Sequence, residues 1–106
     1  MKSESAQTRD LCRKLEALGC STYPLIGSRW SPIGWPDRYI DCKDFQCFIE
    51  FKAAGKWLRP GQYDMCKRLH LKVYVVVLPD KLYSLDKKLC VFNNVRELYA
   101  VLQSHA

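Results

Sequence analysis

No run in the sequence approaches the roughly 18 apolar residues that a membrane span needs. The first ten residues, MKSESAQTRD, have no apolar core of the kind that directs secretion, so the protein is expected to be cytoplasmic. No internal repeat, low-complexity tract or linker interrupts the chain, and a single domain over residues 1–106 is expected. Cys-x-x-Cys is missing, and His70 and His105 stand far from any pair of cysteines, so a structural zinc site is not expected. The six cysteines, Cys12, Cys20, Cys42, Cys47, Cys66 and Cys90, mostly fall in apolar-periodic segments. Without a secretion signal they are expected to be reduced core residues.

Acidic residues are also in short supply: 11 Asp and Glu against 17 Lys and Arg, a net charge of +6. The basic residues are spread along the chain, a balance that suits a polyanionic partner such as nucleic acid. With 48% apolar and 26% charged residues, the composition is that of a folded protein with one modest core.

Leu11, Leu15 and Leu18 recur at helical spacing, predicting a helix from Ala6 to Leu18 with Gly19 as its stop. A short strand follows over Ser21 to Ile26, and Pro24 confines it to an edge or an irregular position. Gly27 to Gly34 reads as a loop carrying Arg29. Arg38 to Cys42 and Gln46 to Ala53 have strand composition and are joined as a hairpin. Pro60 suits the first turn of a helix that runs to about Leu69. The run VYVVVL, Val73 to Leu78, predicts a central strand buried on both faces, ended by Pro79-Asp80. A lesser strand is expected over Lys88 to Phe92. Asn94 and Glu97 then open a final helix bearing Val95, Leu98 and Leu102. Helices interleaved with a mixed sheet make this an α/β or α+β domain.

Within the third strand, alternation puts Cys47, Ile49, Phe51 and Ala53 on one face and Phe48, Glu50 and Lys52 on the other. Taken alone, Glu50 and Lys52 read as a weak surface ion pair. A hairpin centred near Asp44, however, brings Asp37 opposite Phe51 to Ala53, diagonal to Glu50 and close to Lys52. Two carboxylates and an ammonium then converge. Such hard oxygens suit Mg²⁺ or Mn²⁺, with the Phe51 backbone carbonyl as a further ligand. Phosphodiester hydrolysis uses a site of this kind, and Lys52 fits an electrostatic and positioning role. Arg29, Arg38, Lys56 and Arg59 lie in or beside the flanking loops, where they can neutralise phosphates. Trp35 and Trp57 share those loops, where stacking on a base and packing in the core are equal alternatives.

Pro36-Asp37, twelve residues, then Glu50-Phe51-Lys52 resembles the PD-(D/E)xK nuclease signature. The fuller pattern adds Gly34, Arg38, Phe48, Ala53 and the Arg59-Pro-x-Gln62 run, and resembles the virus-type replication-repair nuclease domain, VRR-NUC, from about Ala6 to Leu78. The resemblance implies a restriction-endonuclease-like core, with the C-terminal strand and helix as an addition to it. It also implies metal-dependent cleavage of DNA: Asp37 and Glu50 as ligands of Mg²⁺ or Mn²⁺, Lys52 as catalytic lysine, and Gln62 as an auxiliary site residue. Small stand-alone members, of phage and bacterial type, imply a homodimer that cuts branched DNA such as Holliday junctions. The remaining acid of the pattern belongs on the first helix. This chain has Gln7 or Thr8 there, and Glu4, one turn earlier, is the candidate in its place. The competing expectation is a non-catalytic DNA-binding module whose nuclease site has degenerated.

Overall fold

The fold comes from a computed structural model that describes residues 3–25 and 34–105. Arg29 lies outside the described residues. Three helices and six strands follow in the order α1 (Glu4–Ala17), β1 (Ser21–Pro24), β2 (Arg38–Asp41), β3 (Gln46–Lys52), α2 (Pro60–Arg68), β4 (Lys72–Val77), β5 (Lys81–Ser84), β6 (Leu89–Val91) and α3 (Val95–Ser104). None of the described helices is long and apolar enough to cross a membrane.

The strands form one sheet in sequence order, β1 to β6. Only β3 and β4 are parallel, because α2 carries the chain back between them; the other neighbours are antiparallel. One face of the sheet packs against α1 and α3 through Cys12, Leu15, Ile40, Ile49, Phe51, Val76, Leu98 and Leu102. The opposite face packs against α2 through Leu58, Cys66, Val73, Val75 and Val77. This is why VYVVVL has no polar alternation. Its strand is flanked on both edges and covered on both faces, and Val73 to Leu78 are all buried.

Local chemistry explains most boundaries. Helix α1 starts two residues before the predicted Ala6, because the Ser3 hydroxyl accepts a hydrogen bond from the Ala6 amide at 3.1 Å. In α3 the Asn94 side chain accepts from the Glu97 amide at 3.0 Å. Pro24 ends an edge strand, as its missing amide requires. Pro60 opens α2.

Three expectations need correction. Residues 81–84 form a strand, β5, which the short polar sequence Lys-Leu-Tyr-Ser hid; Pro79-Asp80 follows the end of β4, as expected, in the turn that leads into β5. The β2–β3 connection is tighter than expected. The Cys42 amide donates to the Phe45 carbonyl at 2.9 Å, so the chain reverses over Lys43 and Asp44 and Phe45 is buried. Arg38 therefore faces Ile49, which carries Asp37 next to Glu50 and Phe51, not opposite Phe51 to Ala53. The C-terminal helix packs into the main core, where Leu98 and Leu102 lie with Leu15. Finally, Cys20 and Cys42 form a disulfide. They flank the Ser21–Asp41 pair of β1 and β2, so the antiparallel register places them across from each other. Cys12, Cys47 and Cys66 are buried free thiols and Cys90 is half-buried.

Candidate active site

At the end of β3 the polypeptide brings three segments together. Asp37 arrives on the turn into β2, Glu50 and Lys52 on β3, and Gln62 on the first turn of α2. The turn needs a glycine. Gly34 has φ of +94°, and a Cβ there would meet the Gly61 carbonyl at 3.2 Å and the Met65 Cβ at 3.3 Å. Its bare α-carbon thus lets the segment leading to Asp37 lie against the start of α2. Pro36, fully buried, fixes the next step.

A backbone bond holds Asp37, and side-chain contacts join Glu50, Lys52 and Gln62. Asp37 Oδ2 accepts from the Phe51 amide at 2.9 Å. Lys52 Nζ lies 3.3 Å from Glu50 Oε2 and donates to Gln62 Oε1 at 3.0 Å. Gln62 closes the triangle by donating from Nε2 to Glu50 Oε2 at 3.2 Å. Its Oε1 also accepts from the Arg59 amide at 3.2 Å, so the start of α2 fixes the amide that clasps the other two. Within a strand an amide and carbonyl of one residue point to the same side. The Phe51 carbonyl is therefore directed to the edge at which Asp37 sits.

Burial makes this cluster unlike a surface ion pair. Glu50 is 4% exposed, and its Oε1 is buried with no hydrogen-bond partner among the described residues. That burial, first, and then the nearby Asp37 charge push the Glu50 carboxyl up to about 7; Lys52 and Gln62 act in the opposite direction. An unpartnered carboxylate oxygen in such a place is expensive to keep. The arrangement fits a divalent cation: a spare oxygen on Glu50, a second carboxylate beside it, and a carbonyl aimed to the same edge. Cys66, one helical turn after Gln62, closes the floor. Its burial and the Glu50 charge raise the thiol to about 11, so it is an inert wall.

Other expected residues are placed differently. Glu4 is exposed on the first turn of α1, and no three His, Cys, Asp or Glu side chains among the described residues come together as a metal site. The acid set at this site is thus Asp37 and Glu50, without Glu4. Thr8, on the same helix, is buried. Arg38 shares a face with Ile40 and turns towards α1, where its charge reaches Cys12; it is not among the site's side chains. Lys56 and Arg59 are exposed on the connection from β3 to α2. Trp57, between them, meets the Tyr83 ring edge-on at 5.2 Å, and the Lys87 ammonium lies 5.3 Å from its centroid. Trp35 packs edge-on against Phe48 at 5.7 Å. Cys66 is signalled only by its helical spacing from Gln62, and Tyr83 not at all, because β5 is not legible in the sequence.

No family model and no curated protein matches the chain. Solved structures do. The Holliday junction resolvase Hjc of Archaeoglobus fulgidus superposes with a TM-score of 0.59 over 89% of this chain and 92% of its own, at 19% identity. A VRR_NUC domain gives a TM-score of 0.57 over 70% of this chain and 83% of its own, at 23% identity. At these identities the likeness concerns the fold alone, an α/β fold with a mixed sheet similar to those of the resolvase and of the VRR_NUC domain.

Proposed function

We propose that the chain is a divalent-metal-dependent deoxyribonuclease that hydrolyses phosphodiester bonds in branched DNA, Holliday junctions among them, inside the cell. One observation carries the reading. A buried glutamate with an unpartnered oxygen is clasped by a lysine and a glutamine and stands beside an aspartate, at the end of the central strand β3. Asp37, Glu50 and the Phe51 carbonyl would hold Mg²⁺ or Mn²⁺, and the ion would supply Lewis acidity towards the phosphate and acidify water.

The protein's own groups do the rest. Lys52 keeps a charged donor within reach of the carboxylate edge, where it can orient an attacking water and offset charge gathering on the phosphate. Gln62 fixes that ammonium and Glu50 in one rigid triangle, so neither must reorganise during reaction. Lys56, Arg59 and Arg29 are the proposed phosphate contacts, with Trp57 as the aromatic member of the DNA surface. A homodimer would let two such sites address opposing strands of a junction. The likeness of the fold to Hjc, a Holliday junction resolvase, supports that substrate class.

A DNA-binding module without catalysis is favoured by one observation, the exposed position of Glu4, which leaves two acids at the site. Cleavage separates the readings. Wild type, Glu50→Gln and Lys52→Ala are compared on four-way junctions, flaps and linear duplexes, with and without Mg²⁺ or Mn²⁺. We expect ion-dependent cutting by wild type, retained binding by both variants, and cleavage lowered by about 10²-fold or more. Undiminished cleavage by either variant would sink the site assignment. Binding without ion-dependent cleavage by wild type would select the non-catalytic module.

A further inference from the structure

The sheet does not end at the proposed site. Register partners run across it in two rows, Glu50–Val75–Tyr83–Leu89 and Lys52–Val77–Lys81–Val91. Partners in register share a face, so Tyr83 and Lys81 lie on the same side of the sheet as Glu50 and Lys52. Two strand spacings, about 10 Å, separate Lys81 from Lys52. The Trp57 ring rests on Tyr83, and the ammonium of Lys87 rests on Trp57. Both Lys81 and Lys87 are exposed, and neither has an acidic partner within salt-bridge distance among the described residues. Asp86, the acid beside Lys87, is engaged by Ser84 and Lys88.

Lys87 carries a second sign of purpose. Its φ is +64°, the left-handed region in which glycine or asparagine is usual at a hairpin turn. The turn around it is tightly bonded, with Lys87 N donating to the Ser84 carbonyl at 3.0 Å and Ser84 N to the Lys88 carbonyl at 3.1 Å. Glycine there would relax the backbone. A lysine in its place retains a side chain, and that side chain is aimed back over the tryptophan of the loop that leaves β3.

We propose that β5 and its following turn are a DNA-binding extension of the site: Lys81 at the start of β5 and Lys87 over the Trp57 ring bind the phosphate backbone of the duplex arm that leaves the cleavage point. The span from Lys52 to Lys81, about 10 Å, equals the axial rise of about three base-pair steps of a duplex. The edge-on Trp57–Tyr83 pair gives the Lys87 ammonium a base to rest on. The extension rests on the nuclease reading for its substrate, and its test keeps the two apart.

Binding of a four-way junction and of a linear duplex is measured in EDTA, by fluorescence anisotropy across about 0.05 to 0.3 M salt. The proteins are wild type, Lys81→Ala, Lys87→Gly and the double variant, with Mg²⁺-dependent cleavage read in parallel. The slope of log Kd against log salt is expected to shrink by about 1 for each lysine removed, with binding about tenfold weaker in the double variant. Lys87→Gly is expected to melt at or above the wild-type temperature, which separates a lost contact from lost structure. Unchanged slopes in a wild type that cuts DNA overturn the extension alone. Reduced slopes in a wild type that does not cut keep the extension and overturn the nuclease. A wild type without salt-dependent binding overturns both.

Discussion

One face of β3 is closed to water and the other only in part, and they are filled with opposite materials. Towards α1 and α3 stand Cys47, Ile49 and Phe51, each at most 2% exposed and surrounded by hydrocarbon. Towards α2 stand Phe48, Glu50 and Lys52, and there a glutamate 4% exposed keeps one oxygen without a partner. The first face is what folding favours, since each buried aliphatic or aromatic side chain contributes about 1.5–3 kcal/mol. The second face works against folding, because a desolvated carboxylate is costly even beside an ammonium. A strand that stabilises the domain with one side and strains it with the other has the form expected where a fold serves chemistry.

Substitutions on the two faces should therefore have opposite signs. Phe51→Ala is expected to lower the unfolding free energy by about 3–5 kcal/mol, measured by urea denaturation. Glu50→Gln, on the other face, is expected to raise the stability of the metal-free protein at pH 8 by about 2–3 kcal/mol at most, while abolishing cleavage. A loss of stability in Glu50→Gln would break the contrast.

The pH dependence sharpens it. Glu50 has its carboxyl raised in the folded state from the ordinary 4.5 to about 7. Between those values the folded protein holds a proton that the unfolded chain has released. The group's contribution is thus fully present below about 4.5, is lost as pH rises to about 7, and is level above it. The melting temperature of metal-free wild type should show a fall across that window that Glu50→Gln lacks. A divalent cation should restore stability on the alkaline side, where the carboxylate is free of the proton.

Two smaller effects probe the supports of each face. Gly34→Ala places a Cβ against α2 in a backbone suited to glycine, and should reduce stability by about 1–3 kcal/mol and cleavage with it, because it parts Asp37 from Gln62. Asn94→Ala removes the cap of α3 and should reduce stability by about 1 kcal/mol, leaving cleavage per folded molecule unchanged. Thermal melts and initial rates distinguish the pair.

Much of this was readable from the chain. The alternation Cys-Phe-Ile-Glu-Phe-Lys assigns the faces of β3, VYVVVL announces a covered strand, and Pro60 and Asn94 mark helix starts, because each depends on local stereochemistry or period. The convergence of Asp37, Glu50 and Lys52 was legible from strand pairing and Gln62 only through the family resemblance; the contacts in the fold supply the geometry. What escaped depends on partners distant in sequence. A two-residue reversal at Lys43-Asp44 shifts the β2–β3 register, and only the burial of Phe45 against Tyr99 selects it. The Cys20–Cys42 disulfide follows from the β1–β2 register. β5 has one buried residue, Leu82, and shows itself only by pairing with β4. The sequence already has Gln7 or Thr8 where the first-helix acid belongs, and the helix in place adds that Thr8 is buried and Glu4 exposed.

The central claim is that the polar face of β3 is kept for a divalent cation, and Mn²⁺ uptake tests it without reference to catalysis. Free Mn²⁺ is titrated by electron paramagnetic resonance against wild type and Glu50→Gln at pH 8, with the melting temperature followed in the same samples. The account predicts saturable uptake by wild type with a rise of several degrees in melting temperature, and neither effect in Glu50→Gln. Equal uptake by the variant, or none by wild type, would contradict it.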